Sequence, residues 1–124
     1  MAEGLIRLGV ISQNLDEALD MKSGQLKDWY MHNTSHWIGL DVHDVGVYLP
    51  DGKPRLLESG MCLTVEPGLY FGAWRPDVVC PERYANIGIR IEDDILVTDD
   101  GPVVLTDKCP KTIDEIEHII GSAV

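Results

Sequence analysis

Two apolar runs, each carrying a glutamate, constrain the fold of this chain more than any other feature. The run GMCLTVEPG covers residues 60–68, and the run NIGIRIEDDILVTDDG covers residues 86–101. Apolar and β-branched residues bounded by Gly, Pro and Asp are typical of strands joined by turns. Asp99, Asp100 and Gly101 predict a hairpin turn, after which PVVLT returns as a short strand. The chain is therefore predicted to be rich in strands from its middle onward.

Short helices are predicted on either side of this strand-rich region. Asn14 is a candidate N-cap for a helix reading LDEALDM, which has Asp16 and Glu17 in its first turn. Near the end of the chain, Thr112 is a candidate cap for KTIDEIEHII, a helix that Gly121 ends. One face of that helix carries Ile113, Ile116 and Ile120. The fold class expected from this order of elements is α+β in one domain.

Residues 72–86, GAWRPDVVCPERYAN, separate the two apolar runs. Two prolines, a glycine and mixed charge predict a surface loop. Ordered loops of this length often carry function.

Composition limits the class of partner. The chain has 124 residues, of which 44% are hydrophobic and 25% charged, and these are globular proportions. Its formal charge of -11 repels phosphate and anionic lipid, so nucleic acid and membrane surfaces are not expected as partners. A negative field favours cations instead, including metal ions and substrates with a free amine.

The cysteines and the lack of long apolar stretches indicate a location. Cys62, Cys80 and Cys109 are odd in number and form no CxxC pair, which fits neither a disulfide framework nor a structural zinc site. No apolar stretch approaches the ~18 residues of a transmembrane helix, and the first residues do not resemble a signal peptide. We expect a soluble protein in a reducing compartment, the cytoplasm.

Alternation along the first run brings a carboxylate to the end of a strand. One face carries Met61, Leu63 and Val65, and the other carries Cys62, Thr64 and Glu66. Pro67 then stops the ladder. Two interpretations stay open for Glu66: it lies on a solvated edge, or it is buried and must be hydrogen-bonded, paired or bound to a metal.

The second run, read as one continuous strand, raises the same question. One face carries Ile87, Ile89 and Ile91, and the other carries Gly88, Arg90 and Glu92. Arg90 and Glu92 are either part of a cross-strand salt-bridge ladder, or Glu92 reaches a metal while Arg90 balances the acidic cluster.

Three of the four histidines lie in HNTSHWIGLDVHD, residues 32–44. His32 and His36 are four apart, but the Asn, Thr, Ser and Gly around them make a helix doubtful. The zincin pattern HExxH requires a glutamate after the first histidine. Asn33 stands there, so that enzyme class is excluded.

From Leu40 the pattern alternates again, with Leu40 and Val42 opposite Asp41 and His43, which predicts an extended segment. A single histidine is more often a packed or surface residue than a ligand. Three within twelve positions, followed by two glutamate-bearing strands, favour a site. Oxygen-rich ligation with one imidazole suits Mn²⁺, Co²⁺, Fe²⁺ or Zn²⁺, and leaves the cysteines as spectators.

Three motifs together resemble a known family. HNTSHWIGLDVHDVGVY, GMCLTVEPGLYF and NIGIRIEDDILVT occur in the order and approximate spacing of the C-terminal part of Xaa-Pro aminopeptidases, of the pita-bread metallopeptidase family. The resemblance covers about residues 26–121. It implies the C-terminal half of a pita-bread fold, an antiparallel curved sheet flanked by helices. Residues 1–124 would then be a partial catalytic domain, without the N-terminal domain and the first half of the catalytic domain.

The resemblance also implies a metal site. His36 resembles the single histidine ligand, Glu66 resembles a carboxylate ligand of the same ion, and Glu92 resembles the glutamate that bridges two ions. Manganese is the usual metal of the family, two ions per complete site, and Co²⁺, Fe²⁺ or Zn²⁺ are alternatives.

Three further residues receive roles from the same resemblance. His32 and His43 resemble outer histidines that contact substrate and help to move protons, and Arg90 resembles a residue that supports the acidic cluster. The implied reaction is hydrolysis of the bond between an N-terminal residue and a following proline. Prolidase, which cleaves dipeptides ending in proline, and a non-catalytic binding module that keeps half of the fold are the alternatives.

The family's site also needs two aspartates on earlier strands. Asp16 and Asp20 lie four apart in a helix-like stretch, without the strand or glycine of those motifs, and are not assigned to the site. The chain is therefore expected to supply part of a dinuclear site, and to need the missing N-terminal half or a homo-oligomer.

Overall fold

A computed structural model describes residues 1–72 and 77–121 of the chain. The chain divides into two compact units, each made of two separate stretches. Unit 1 comprises Met1–Asn33 and Pro67–Arg90, and unit 2 comprises Thr34–Glu66 and Ile91–Val124. Part of the loop predicted over residues 72–86 lies outside the described residues.

Two antiparallel sheets and three short helices make up the regular structure of the described ranges. In chain order these are α1 (Ala2–Arg7), α2 (Leu15–Ala18), β1 (Cys62–Val65), β2 (Gly68–Phe71), β3 (Ile87–Arg90), β4 (Asp93–Thr98), β5 (Gly101–Val104) and α3 (Ile113–Gly121). Single 3₁₀ turns occur at Gln25–Asp28, Pro50–Gly52 and Glu82–Tyr84. The predicted α+β class is confirmed.

The predicted cap of α2 is confirmed, but the helix is shorter than predicted. The Asn14 side chain accepts a hydrogen bond from the Glu17 amide at 3.0 Å, and the Glu17 carboxylate accepts one from the Asn14 amide at 3.2 Å. The helix ends at Ala18, because Asp20 accepts hydrogen bonds from the amide and hydroxyl of Ser23, both at 2.7 Å. Local bonds of this kind compete with helical ones. They also lower the pKa of Asp20.

Unit 1 contains the buried apolar core. Its buried side chains are Ala2, Leu5, Ile11, Ala18, Trp29 and Phe71. The rings of Trp29 and Phe71 lie 5.1 Å apart, at a separation that favours aromatic packing. Strands β2 and β3 pair antiparallel beside this core, with Phe71 opposite Ile87. The sequence pattern does not separate β2 from β1, so β2 was not predicted as a strand.

The second apolar run forms two strands, so the prediction of one continuous strand is wrong. Strand β3 ends at Arg90 and pairs with β2, whereas β4 begins at Asp93 and pairs with β1. Ile91 and Glu92 join the two. Because Pro67 has no N–H, it cannot extend the β1 ladder. The second run therefore pairs with β1 on one side of this proline and with β2 on the other. The predicted isoleucine face is 44–62% exposed.

Unit 2 contains the three-stranded antiparallel sheet, in the order β1-β4-β5. Strands β4 and β5 form the predicted hairpin, with Thr98 opposite Gly101. Gly101 has a φ of 115°, a conformation that costs a residue without a Cβ little. The hairpin prediction at Asp99, Asp100 and Gly101 is confirmed.

The extended segment predicted from Leu40 is wrong. The Gly39 amide donates to the Asp41 carbonyl, and the Asp44 amide donates to the Trp37 carbonyl, both at 3.1 Å. These bonds fold the backbone into consecutive bends. Leu40 is fully exposed, so an apolar side chain here does not mark a core-facing position.

Helix α3 begins where predicted. The Thr112 hydroxyl accepts a hydrogen bond from the Glu115 amide at 3.3 Å, and the Glu115 carboxylate accepts one from the Thr112 amide at 3.0 Å. These bonds form a capping box. Bonds from the amide and hydroxyl of Thr112, followed by one from the Lys111 amide, lower the pKa of Glu115. No helix within residues 1–72 or 77–121 is long and apolar enough to span a membrane.

The capping box predicts a pH-dependent helix start. Because the pKa of folded Glu115 lies below its ordinary value of 4.5, the contribution of the box is present at neutral pH. It is lost as the pH falls through the lowered pKa. We expect the first turn of α3 to fray in acid, and the backbone NMR shifts of Ile113 measure this fraying.

Glu115→Gln keeps an acceptor oxygen and cannot titrate, so its first turn should not respond to acid. Glu117→Gln, on the same helix and outside the box, should respond like the parent. A first turn that stays intact in the parent after every carboxylate is protonated would contradict the prediction.

Candidate metal centre

Strand β1 is hydrogen-bonded along both edges. On one edge lies β4, and on the other lies the segment 34–38. The amides of Glu66 and Thr64 donate to the carbonyls of Thr34 and His36, at 2.7 and 3.0 Å. The segment 34–38 therefore runs antiparallel to β1 and brings a histidine of the opening motif beside the strand that precedes Glu66.

The register of β1 with β4 places two glutamates opposite each other. Val65 pairs with Asp93 as the last residues of the ladder. Glu66 and Glu92 follow one position beyond this pair. Residues directly opposite on antiparallel strands point to the same face, and like charges there are destabilising. A cation between the two carboxylates would relieve this repulsion.

His36 completes the cluster. It lies opposite Thr64, so Glu66, two residues further along β1, is its diagonal neighbour. The His36 Nε2 atom lies 3.1 Å from Glu66 Oε1, and their side chains are 18% and 13% exposed. One ligand atom from each of His36, Glu66 and Glu92 lies within 4.8 Å of the other two. The convergence predicted for these three side chains is observed, although Glu92 arrives from a strand break.

The backbone orients the His36 ring. Its Nδ1 atom lies 2.9 Å from the Trp37 carbonyl oxygen, which can only accept a hydrogen bond, so Nδ1 carries a hydrogen. In the neutral ring Nε2 is then the atom with a free lone pair, and it is Nε2 that faces Glu66. A carbonyl partner on the other ring nitrogen is the arrangement that metal-binding histidines usually have.

The donor set fits a divalent cation. One neutral imidazole and two carboxylates carry a charge of −2, which balances a divalent ion. Three donors bound at about 2.1 Å to one ion lie at most about 4.2 Å apart, so the observed group needs to close by only a few tenths of an ångström. Nitrogen with oxygen, and no thiolate, suits Mn²⁺, Co²⁺, Fe²⁺ or Zn²⁺. The thiols of Cys62, Cys80 and Cys109 are free.

Of the three residues predicted to assist, His43 lies in unit 2 with the cluster. Its ring meets that of His36 edge-on, with 4.5 Å between centroids. The His43 side chain is exposed, whereas His36, which it contacts, is half-buried.

His32 and Arg90 belong to unit 1. The His32 Nδ1 atom donates to the Asn33 carbonyl at 2.7 Å, which leaves Nε2 to accept from the Tyr70 hydroxyl at 2.8 Å. Gly68 makes this bond possible, because a Cβ at that position would lie 2.6 Å from the Tyr70 oxygen. Arg90 is the last residue of β3, opposite Gly68.

Two residues of interest were not identified from the sequence. Thr64 is 1% exposed and its hydroxyl lies 3.2 Å from Glu66 Oε1. Alternation had placed both on one face, so a signal was available. Tyr70 lies on β2, and without that strand nothing pointed to its contact with His32.

Next to Glu92, the start of β4 is anchored by side chains. The Thr106 hydroxyl donates to the Asp93 carboxylate at 2.6 Å, and the Lys111 ammonium donates to it at 2.9 Å. These bonds lower the pKa of Asp93, and Asp93 in turn raises the pKa of Lys111. The residue that follows Glu92 is therefore held in place.

Many curated proteins are similar in sequence to this chain. The family model described as metallopeptidase family M24 matches residues 2–99. Xaa-Pro aminopeptidase of Escherichia coli is 48% identical over 123 residues, which cover 99% of this chain and 26% of that protein. Xaa-Pro aminopeptidase of Haemophilus influenzae is 44% identical, over 95% of this chain and 26% of the relative. The chain thus spans about a quarter of the length of these relatives.

Solved structures agree with this result. Zinc-substituted E. coli aminopeptidase P in complex with product is 48% identical and matches with a TM-score of 0.85, over 100% of this chain and 27% of that one. The aminopeptidase PepP of Pseudomonas aeruginosa is 44% identical and matches with a TM-score of 0.86, over 98% of this chain and 27% of that one. The chain has the aminopeptidase P fold over this part and belongs to metallopeptidase family M24, a membership that implies divalent metal ions.

Proposed function

We propose that this chain supplies His36, Glu66 and Glu92 to the dinuclear metal site of an Xaa-Pro aminopeptidase. The observation that carries the proposal is the convergence of these three ligand atoms within 4.8 Å in a member of family M24. In this assignment His36 and Glu66 would hold one ion, and Glu92 would be shared between that ion and a second. Residues 1–124 are then the C-terminal part of a catalytic domain.

Manganese is the proposed metal, with Co²⁺, Fe²⁺ or Zn²⁺ as substitutes that the same donors accept. When bound, such ions supply Lewis-acid chemistry: they polarise a carbonyl group and lower the pKa of water. The residues of the chain bind and orient. The carboxylates of Glu66 and Glu92 balance the positive charge of the metal, and the Trp37 carbonyl keeps the Nε2 lone pair of His36 directed at the site.

The outer residues act on substrate. We assign His43, in contact with the His36 ring, to proton movement at the edge of the site. We assign His32, whose ring is oriented by Asn33 and Tyr70, to contact with the peptide. Arg90 supports the acidic cluster. The substrate is a peptide with proline at its second position, and the net charge of -11 favours its ammonium end.

The relatives support this substrate class over prolidase. Those at 48% and 44% identity are Xaa-Pro aminopeptidases, and one solved structure of the E. coli enzyme contains the inhibitor Pro-Leu. Nucleic acid and membrane are not proposed as partners. Three free thiols fit the reducing conditions of the cytoplasm.

The proposed site predicts stabilisation by Mn²⁺. A ligand that binds only the folded state at 100 times its Kd stabilises by about 2.7 kcal/mol. We expect the melting temperature of the parent to rise with Mn²⁺ concentration, and we expect little rise for Glu66→Gln or Glu92→Gln. Glu58→Gln, a change at an exposed position elsewhere in unit 2, should behave like the parent. An equal rise in all four proteins would remove both glutamates from the site.

In a complete enzyme, Glu66→Gln or Glu92→Gln should abolish turnover while the fold is kept. Each change removes a negative ligand and preserves size, so the loss is of metal charge balance rather than packing. Steady-state kinetics at measured metal content test this. Near-normal turnover at full metal occupancy would exclude the changed residue as a ligand.

The 124-residue chain alone should be catalytically silent toward Xaa-Pro peptides. Three ligands hold one ion, but without the two aspartates of the family's motif little holds the second ion beyond bridging Glu92. Substrate also lacks the walls of the complete site, whose positioning can contribute about 7 kcal/mol or more to catalysis. Incubation with Mn²⁺ and a proline-containing tripeptide tests this. Turnover that scales with the protein and disappears in His36→Ala would contradict it.

A further inference from the structure

Thr64 is the one polar side chain in the described parts of the chain that is buried, at 1% exposure. It lies on β1, two residues before Glu66 and opposite His36. A buried hydroxyl costs free energy unless it is hydrogen-bonded. Valine has nearly the same shape, carries no such cost and is at least as favourable in a strand. The strand therefore does not require a hydroxyl at this position.

The hydroxyl has two partners, and their chemistry settles the direction of both bonds. The His36 amide lies 3.1 Å from Thr64 Oγ1 and can only donate, so the hydroxyl oxygen accepts there. Its single hydrogen is then available to Glu66 Oε1, at 3.2 Å, and an ionised carboxylate can only accept. One hydroxyl thus joins the backbone of one proposed ligand to the carboxylate of another.

We propose that Thr64 is a positioning residue for the metal site. This inference rests on the proposed function of His36 and Glu66. Glu66 Oε1 accepts from the Thr64 hydroxyl and lies 3.1 Å from His36 Nε2. The imidazole contact must give way when Nε2 binds a metal, whereas the Thr64 bond can remain. The hydroxyl then holds the carboxylate plane in one orientation, so less side-chain freedom is lost when the ion binds.

The geometry also couples the two ligands. The Thr64 amide donates to the His36 carbonyl at 3.0 Å, while the Thr64 hydroxyl accepts from the His36 amide. Thr64 therefore forms hydrogen bonds with both the amide and the carbonyl group of His36. Loss of the hydroxyl leaves the backbone ladder bond in place and removes two bonds, the one accepted from the His36 amide and the one donated to the Glu66 carboxylate.

The test is Co²⁺ binding to the 124-residue chain, with calorimetry for affinity and visible absorption for ligand geometry. Changes in residues that orient metal ligands typically weaken metal affinity about 10–100-fold. We expect a loss of this size in Thr64→Val, together with an altered Co²⁺ absorption band. Thr64→Ser, which keeps the hydroxyl, should bind nearly as the parent does and keep the parent band.

Thr98→Val is the matched control. Thr98 is a half-buried threonine of β4 whose hydroxyl donates to the Gly101 carbonyl at 2.6 Å, at the hairpin end of the sheet. The Thr98→Val variant should lose some thermal stability and keep both the Co²⁺ affinity and the Co²⁺ absorption spectrum of the parent. If Thr64→Val does not fold, Thr64→Ser and Thr64→Ala decide, since both lack the methyl group and only serine keeps the hydroxyl.

The outcomes separate this inference from the proposed function. Parent affinity and an unchanged band in Thr64→Val, with binding abolished in His36→Ala, would overturn the role of Thr64 and leave the metal site. Co²⁺ binding that survives His36→Ala unchanged would overturn the site, and the role of Thr64 with it. Equal losses in Thr64→Ser and Thr64→Ala would show that the methyl group, and not the hydroxyl, matters.

Discussion

Strand β1 is hydrogen-bonded on both edges, and the candidate site depends on this. One partner is β4, and the other is the segment 34–38, which has little regular structure of its own. Each partnership has a register, and a register determines which side chains share a face. The two registers together place His36 diagonal to Glu66 and Glu92 opposite it. A shift of one residue on either edge would turn one ligand to the other face of the sheet.

The end of the β1 ladder explains why the candidate ligands lie close together there. Pro67 cannot donate a backbone hydrogen bond, so pairing stops after Val65 and Asp93, and the chain enters another sheet at β2 and leaves it after β3. Glu66 and Glu92 lie just past the last pair. Side chains at such a position are less covered by neighbouring strands, while the ladder behind them holds their backbone.

Sequence reasoning proposed these candidate ligands with unequal justification. For Glu66 the alternation along β1 was correct, and it also placed Thr64 on the same face. Glu92 was proposed from a run that was read as one strand, whereas the run forms two strands; its carboxylate nevertheless lies near Glu66 and His36. Tyr70 could not be found, since the pattern does not distinguish two short strands separated by a proline from one strand and a turn.

What the sequence by itself determined is local. The caps at Asn14 and Thr112, the hairpin glycine at position 101 and the face shared by Thr64 and Glu66 all follow from backbone preferences and alternation within a few residues. Only the tertiary structure decided that His36 meets them, that Glu92 leaves its strand, and that Leu40 is exposed. The meeting of His36 with Glu66 and Glu92 depends on backbone groups that pair across 28 or more residues, and a hydrogen-bond partner that far away leaves no periodic trace in the chain.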